Sequence, residues 1–200
     1  MISYLMIQII SDPILHAKWL NTLSYLENCG ARKIAKCEHP TRVQQEMLKH
    51  AAEEFRHAHF LKMQINKISK TPLVDYKLTN LLGGMATLHY LNALDLRLIR
   101  KLKQLSLPSV VEAAYLLVTF AIEQRALKLY PMYHEALVAA RSPVRIKSIL
   151  LEEEEHLEAM KREIEKLPLG PKLSTIAYQL ETELYEQWIE AVQREIKIND

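Results

Sequence analysis

Glycine, cysteine and any dominant charge are scarce in this 200-residue chain. Four glycines and eight prolines, set against 49% apolar residues, exclude collagen-like, low-complexity and disordered architectures. Lys and Arg total 26 and Asp and Glu 24, so the formal charge of +2 carries no polyanion-binding signature. Nucleic acid is therefore not an expected partner. The two cysteines, Cys29 and Cys37, match neither a zinc nor a redox spacing and cannot make a disulfide framework. A reducing, cytoplasmic compartment suits them. The apolar start MISYLMIQIIS has no basic segment before it and no small-residue cleavage pattern after it, so it does not read as a signal peptide. The longest uncharged run, residues 78–94, contains Thr79, Asn80, Gly83, Gly84, His89 and Asn92. It is too short and too polar to span a membrane and reads as buried helix.

Helical punctuation, by contrast, is plentiful. Asp12-Pro13 supplies a cap and a first-turn proline, and apolar residues recur at helical spacing as far as Cys37, where His39-Pro40 breaks the chain. A second helix is expected over about 41–69, stopped by Thr71-Pro72. Leu107-Pro108 followed by Ser109 and Glu112 has the form of a capping box opening a third helix. Arg141-Ser142-Pro143 closes it and opens a fourth, which ends near Leu167-Pro168; a fifth covers about 172–197. The nearly forty residues between helices two and three also read as helix, kinked at Gly83-Gly84. No convincing period-2 alternation occurs, although the first ten residues are ambiguous. The expected fold is all-α: one domain over 1–200, with two short-loop hairpins, a long helical crossover and an extra C-terminal helix.

Chemistry concentrates at one level of this bundle. Glu54-Phe-Arg-His57 and Glu153-Glu-Glu-His156 each place a glutamate and a histidine one turn apart on one helical face, where a single metal ion can take both. None of the other six histidines has a glutamate three positions before it. In an antiparallel hairpin, residues equidistant from the turn share a level. Positions 27 and 54 centre on the break at His39-Pro40, and positions 123 and 153 centre on 138, close to the break at 139–142. Each hairpin thus sets one glutamate, Glu27 or Glu123, opposite one Glu-x-x-His. Glu27 and Glu123 both lie in apolar runs, where a carboxylate costs several kcal/mol to bury unless it is paired or metal-bound. Four carboxylates and two neutral imidazoles balance two divalent ions, and this oxygen- and imidazole-rich set suits iron or manganese.

Each piece taken alone has a plainer reading. A single Glu-x-x-His is commonly a solvated pair, and residues 152–155 would be an acidic face with three of the four in water. His50, one turn before Glu54, is read as a core histidine or a neighbour of the ligands, while His59, His89 and His134 are ordinary. Tyr130, two turns after Glu123, either hydrogen-bonds a ligand or packs in the core, and Pro131 is a candidate kink.

Taken together, Glu27, Glu54-x-x-His57, Glu123 with Tyr130 seven later, and Glu153-x-x-His156 resemble the ligand pattern of the ferritin-like superfamily of di-iron carboxylate proteins. The resemblance covers the four main helices, about 13–166. It implies two iron ions, with Mn/Fe or Mn/Mn as variants, and dioxygen or peroxide chemistry. By the same resemblance Glu27, Glu54 and His57 hold mainly one ion, Glu123, Glu153 and His156 the other, and Glu54 and Glu153 bridge. The cysteine-rich module usual in rubrerythrins is missing, and storage ferritins usually lack a fifth helix of this length. The extra helices look more like the oxygenase and hydroxylase branches, which implies a small or apolar organic substrate and an electron donor such as a ferredoxin or reductase. A monomer or homodimer is then expected rather than a shell. Residues 78–94 would line a substrate cavity or simply pack the crossover. Two rivals stay open: an iron-binding, iron-oxidising protein with no organic substrate, and a metal-free helical interaction protein.

Overall fold

Asp12 opens the first long helix as its sequence requires, its carboxylate accepting from the backbone N–H groups of Ile14 (2.7 Å) and Leu15 (3.2 Å) ahead of Pro13. The computed structural model describes residues 2–105, 107 and 109–198. Among them are seven α-helices and no strand: α1 (Ile2–Ser11), α2 (Pro13–Cys37), α3 (Gln45–Ile65), α4 (Gly84–Leu102), α5 (Val110–Ala139), α6 (Lys147–Ile164) and α7 (Gly170–Ile198). No described helix is long and apolar enough to cross a membrane. Helices α2 and α3 form one hairpin and α5 and α6 a second. Helices α4 and α7 pack on each other and on α5, and α1 lies against α5 and α2. Residues 2–11, most of the stretch whose periodicity is ambiguous, are thus a further helix.

Several expected boundaries are corrected. Helix α3 begins at Gln45 rather than near 41, because the imidazole of His39 accepts from the backbone of Thr41 (3.2 Å) and Arg42 (3.1 Å) and holds that stretch as a turn. Residues 66–83 are not helical apart from a 3-10 turn at Leu78–Asn80. Buried polar side chains of α2 tie this segment down instead. Asn21 donates to the carbonyls of Asp75 (3.0 Å) and Asn80 (2.8 Å), and Thr22 accepts from Leu82 N (2.8 Å). Lys62 donates to the Asn21 side chain and to the Leu73 carbonyl. Gly83 and Gly84 do not kink a helix but begin one, with φ of 81° and 52°. A Cβ on Gly83 would lie 2.8 Å from Thr87 Oγ1 and 3.2 Å from Trp188 Cδ1, so a side chain is excluded by space as well as by backbone. The Ser109 hydroxyl caps α5 by accepting from Glu112 N (3.2 Å), while Pro108 lies outside the described residues. Helix α5 continues through Pro131 to Ala139.

The C-terminal helix is fastened by a buried network. Trp188 stacks between Trp19 and Tyr90, with ring centroids 5.7 and 5.5 Å away and 13° between planes in both cases. Its indole N–H donates to Thr87 Oγ1 (2.9 Å). Glu181, wholly buried, receives a two-pronged pair of hydrogen bonds from Arg125 (2.9 and 2.8 Å) and a third from the Tyr90 hydroxyl. Removing one partner of such a pair strands a buried charge. Arg125→Leu is therefore expected to destabilise the protein by about 3–5 kcal/mol, read from denaturant midpoints at unchanged m-value.

Candidate metal centre

Four helices bring ionisable side chains inward at one level. Glu54 and His57 of α3, Glu123 of α5, and Glu153 and His156 of α6 are buried, and Glu27 of α2 is half-buried. Their ligand atoms fall into two groups, each spanning no more than 4.8 Å: Glu27, Glu54, His57 and Glu153 in one, and His50, Glu54, Glu123 and His156 in the other. All six residues singled out from the sequence therefore converge. Glu54 belongs to both groups. Glu153 falls on the Glu27 side rather than with Glu123, although its second oxygen remains 3.8 Å from His156 Nδ1. Tyr130, fully enclosed, donates its hydroxyl hydrogen to Glu27. His59 and His89 are exposed, and His134 lies elsewhere.

Beyond those six, His50 takes the second of its two expected places, beside the ligands, and Glu53 and Glu152 join from outside the expected set. His50 enters the second group, its Nε2 3.0 Å from Glu123 and 3.5 Å from Glu54, with its ring 4.0 Å from that of His156. Glu53 and Glu152 act from outside. His57 Nε2 is 2.8 Å from Glu152, and His156 Nε2 is 3.0 Å from Glu53, so each hairpin's histidine is held by the other hairpin's glutamate. Arg56 clamps Glu152 through both oxygens (3.0 and 2.5 Å). Glu152 is thus no member of a solvated acidic face. The signal was present in the sequence: both His57 and His156 are preceded by a Glu-Glu pair at the same spacing.

With Nε2 donating outward, each neutral imidazole turns its Nδ1 lone pair inward. There, Glu54 Oε1, Glu153 Oε1, His57 Nδ1 and His156 Nδ1 are buried without a well-aligned hydrogen-bond partner and face chiefly one another, His57 Nδ1 at 3.2 Å from Glu153 Oε1 and His156 Nδ1 at 3.5 Å from Glu54 Oε1. A buried unpaired polar atom costs about 1–3 kcal/mol, and four around one space are what bound cations would satisfy. The donor set fits such ions.

Titration behaviour says the same. Burial, reinforced by the other carboxylates, pushes Glu27 and Glu123 well above the ordinary carboxylate range, and burial plus Glu153 raises Glu54 to about 7. Glu153 is the exception, since contacts from Glu123, His156 and His57 outweigh burial and hold it low. Burial also works against charge on His57, yet Glu153, Glu27 and Glu54 carry it up to about 10; His156 is raised in the same way by Glu153 and Glu53. His50 goes down to about 3 through burial and its neighbour His156. Without cations, the cluster retains protons to offset its carboxylates. Metal binding must displace them, so affinity for Mn(II) or anaerobic Fe(II) should rise from pH 6 to pH 8, with proton release seen by calorimetry in buffers of differing ionisation enthalpy. Glu53→Ala and Glu152→Ala should each weaken that binding about 10- to 100-fold while leaving the helical circular dichroism intact.

A cavity of about 340 Å³ between α2, α4 and α5 reaches Glu54 and Glu123, and a smaller one of about 60 Å³ adjoins Glu27 and Tyr130. Of residues 78–94, only Tyr90 and Leu91 line the smaller cavity and none lines the larger; Leu81, Leu82 and Leu94 are packed in the core. A scan against protein-family models and searches of curated proteins and of solved structures found no match to this chain.

Proposed function

We propose that this protein is a non-haem di-iron oxidoreductase with a ferritin-like bundle, activating dioxygen or peroxide for reaction with a small or apolar organic substrate. The observation that carries the reading is the convergence of Glu27, Glu54, His57, Glu123, Glu153 and His156 around unpaired, inward-facing oxygen and Nδ1 atoms. Two divalent ions would bring four carboxylates and two imidazoles to zero net charge, which answers the cost of burying them. The donors are oxygen and imidazole, with no thiolate among them, as iron and manganese prefer. Iron bound here supplies the electrons and the Lewis acidity for reducing dioxygen or peroxide.

The chain's own groups then have definite tasks. Glu54, common to both groups, stands between the two positions. Glu53 and Glu152 fix the tautomer and orientation of His156 and His57. Tyr130 holds its proton on Glu27, and His50, kept neutral beside Glu123, offers a seventh donor. Apolar side chains of α2, α4 and α5 line the approach to Glu54 and Glu123 through the larger cavity. An external electron donor such as a ferredoxin or a reductase completes a catalytic cycle.

Elemental analysis of protein made in iron-replete medium decides the matter. About two metal ions per chain are expected, falling clearly in Glu54→Ala and His156→Ala. Fewer than about one per chain would falsify the metal reading and leave a helical interaction protein. A large closed shell in light scattering would favour iron storage over oxidation of an organic substrate.

A further inference from the structure

Where α5 turns into α6, at the far end of the second hairpin, lies a cavity of about 350 Å³. His134, Arg141 and Arg145 are the only ionisable residues lining it, and no carboxylate is among them. Arg56, Arg97 and Arg125 elsewhere each hold a glutamate. Among the described residues neither Arg141 nor Arg145 makes an ion pair. Two guanidinium groups thus share one concavity with no anion to answer them.

The turn sets both arginines in place. Arg145 donates through Nη1 to the carbonyls of Ser142 (2.6 Å) and Val144 (3.0 Å), and its backbone N–H goes to Gln64 Oε1 of α3 (3.0 Å). A guanidinium is planar, so fixing one nitrogen orients the others, and Nε and Nη2 are left without a protein partner. Arg141 follows the α5 cap with a φ of 49°. Around it Arg141 N bonds to Val138 O (3.0 Å) and Ser142 N to Leu137 O (2.9 Å), which closes the helix. Glycine is the residue that this left-handed position favours, and a side chain there costs stability. An arginine held against that preference is accounted for by what its side chain meets. Ser142, buried in the same wall, accepts from Val144 N (3.3 Å) and keeps its hydroxyl hydrogen to donate. Helix α6 opens beside them with no side-chain cap and no acidic residue in its first turn, so nothing acidic offsets its positive end.

These donors select the ligand. A phosphate monoester carries a charge of about −1.5 to −2 near neutral pH and three acceptor oxygens, which matches two guanidinium groups and a hydroxyl. A carboxylate brings a single charge. At about 30 Å³ per water-sized group the cavity takes roughly a dozen non-hydrogen atoms, and a phosphate fills fewer than half of those places. The remainder faces Leu137, Val138 and Val144, which suit an apolar body. His134 stands eleven residues beyond Glu123 along α5, roughly 16 Å at 1.5 Å per residue, so the cavity is separate from the metal centre.

We infer that this cavity binds the phosphate monoester of a small, largely apolar molecule, its phosphate between Arg141 and Arg145 and its organic part on Leu137 and Val144. The site stands on its own residues and does not rest on the metal reading.

Calorimetry on the protein as purified, with phenyl phosphate, inorganic phosphate and benzoate as probes, provides the test. Phenyl phosphate is expected to bind about tenfold more tightly than inorganic phosphate, which lacks the apolar body, and than benzoate, which lacks the second charge. Arg145→Gln should weaken phenyl phosphate binding about tenfold. Arg141→Gly should weaken it to a similar degree without lowering the thermal midpoint, because glycine suits that backbone. A merely structural role for Arg141 predicts no loss of affinity. The proposal is overturned if phenyl phosphate shows no saturable binding below about 10 mM, or if benzoate binds as tightly. Unchanged affinity in the Arg141→Gly, Arg145→Gln double variant overturns it too. A short DNA oligonucleotide that binds more tightly than phenyl phosphate, and loses that affinity in the same double variant, would give the site to nucleic acid and refute the small-molecule assignment. Metal content enters none of these outcomes, so this site and the di-iron reading stand or fall separately.

Discussion

Packing four carboxylates within a few ångströms of one another inside an apolar bundle is the constraint around which this protein is organised. A lone buried carboxylate costs several kcal/mol, and like charges at such separations raise that cost further. The chain answers with histidines rather than with lysine or arginine. An imidazole can be cation, neutral donor or metal ligand according to what else is present, and an ammonium cannot. Hence His57 and His156 take up protons in the absence of cations while keeping Nδ1 aimed at the centre. The outer glutamates, Glu53 and Glu152, hold that aim by gripping Nε2 across the gap between α3 and α6.

The remaining helices make sense as support for this core. Two hairpins alone would leave a flank of α2 and α5 in water. Helix α4 covers part of that flank, and α7 locks α4 in place through Trp188 and Glu181. The irregular segment 66–83 delivers α4 to its position, and the buried polar residues Asn21 and Thr22 of α2 exist to satisfy its backbone. Covering the flank without filling it leaves the apolar cavity that ends at Glu54 and Glu123. The same helix therefore closes the bundle and opens a route to its centre.

Much of this was legible beforehand, and the misses share a cause. Helical class, the two hairpins and the six converging donors follow from local spacing and from distances to the turns, which are properties of one chain read in order. His50 reads from the sequence as either a core histidine or a neighbour of the ligands because i, i+4 spacing to a glutamate is common, and only Glu123 and His156, far away in sequence, make the position significant. Glu152 reads as surface from the sequence because its partners, Arg56 and His57, belong to the other hairpin. Residues 66–83 read as helix from the sequence because nothing local shows that α2 offers their backbone better hydrogen bonds than a helix would.

Sequence alone determined that a pair of Glu-x-x-His turns and two solitary glutamates would share one level, since helical periodicity and hairpin register are local rules. Tertiary structure decided how the donors divide into two groups, which atoms of each imidazole face inward, and where the cavity meets them. Those outcomes depend on how α3 faces α6 and how α4 lies across α2 and α5. Such relations are set by long-range packing and by hydrogen bonds between segments, for which the linear order of residues holds no periodic signal.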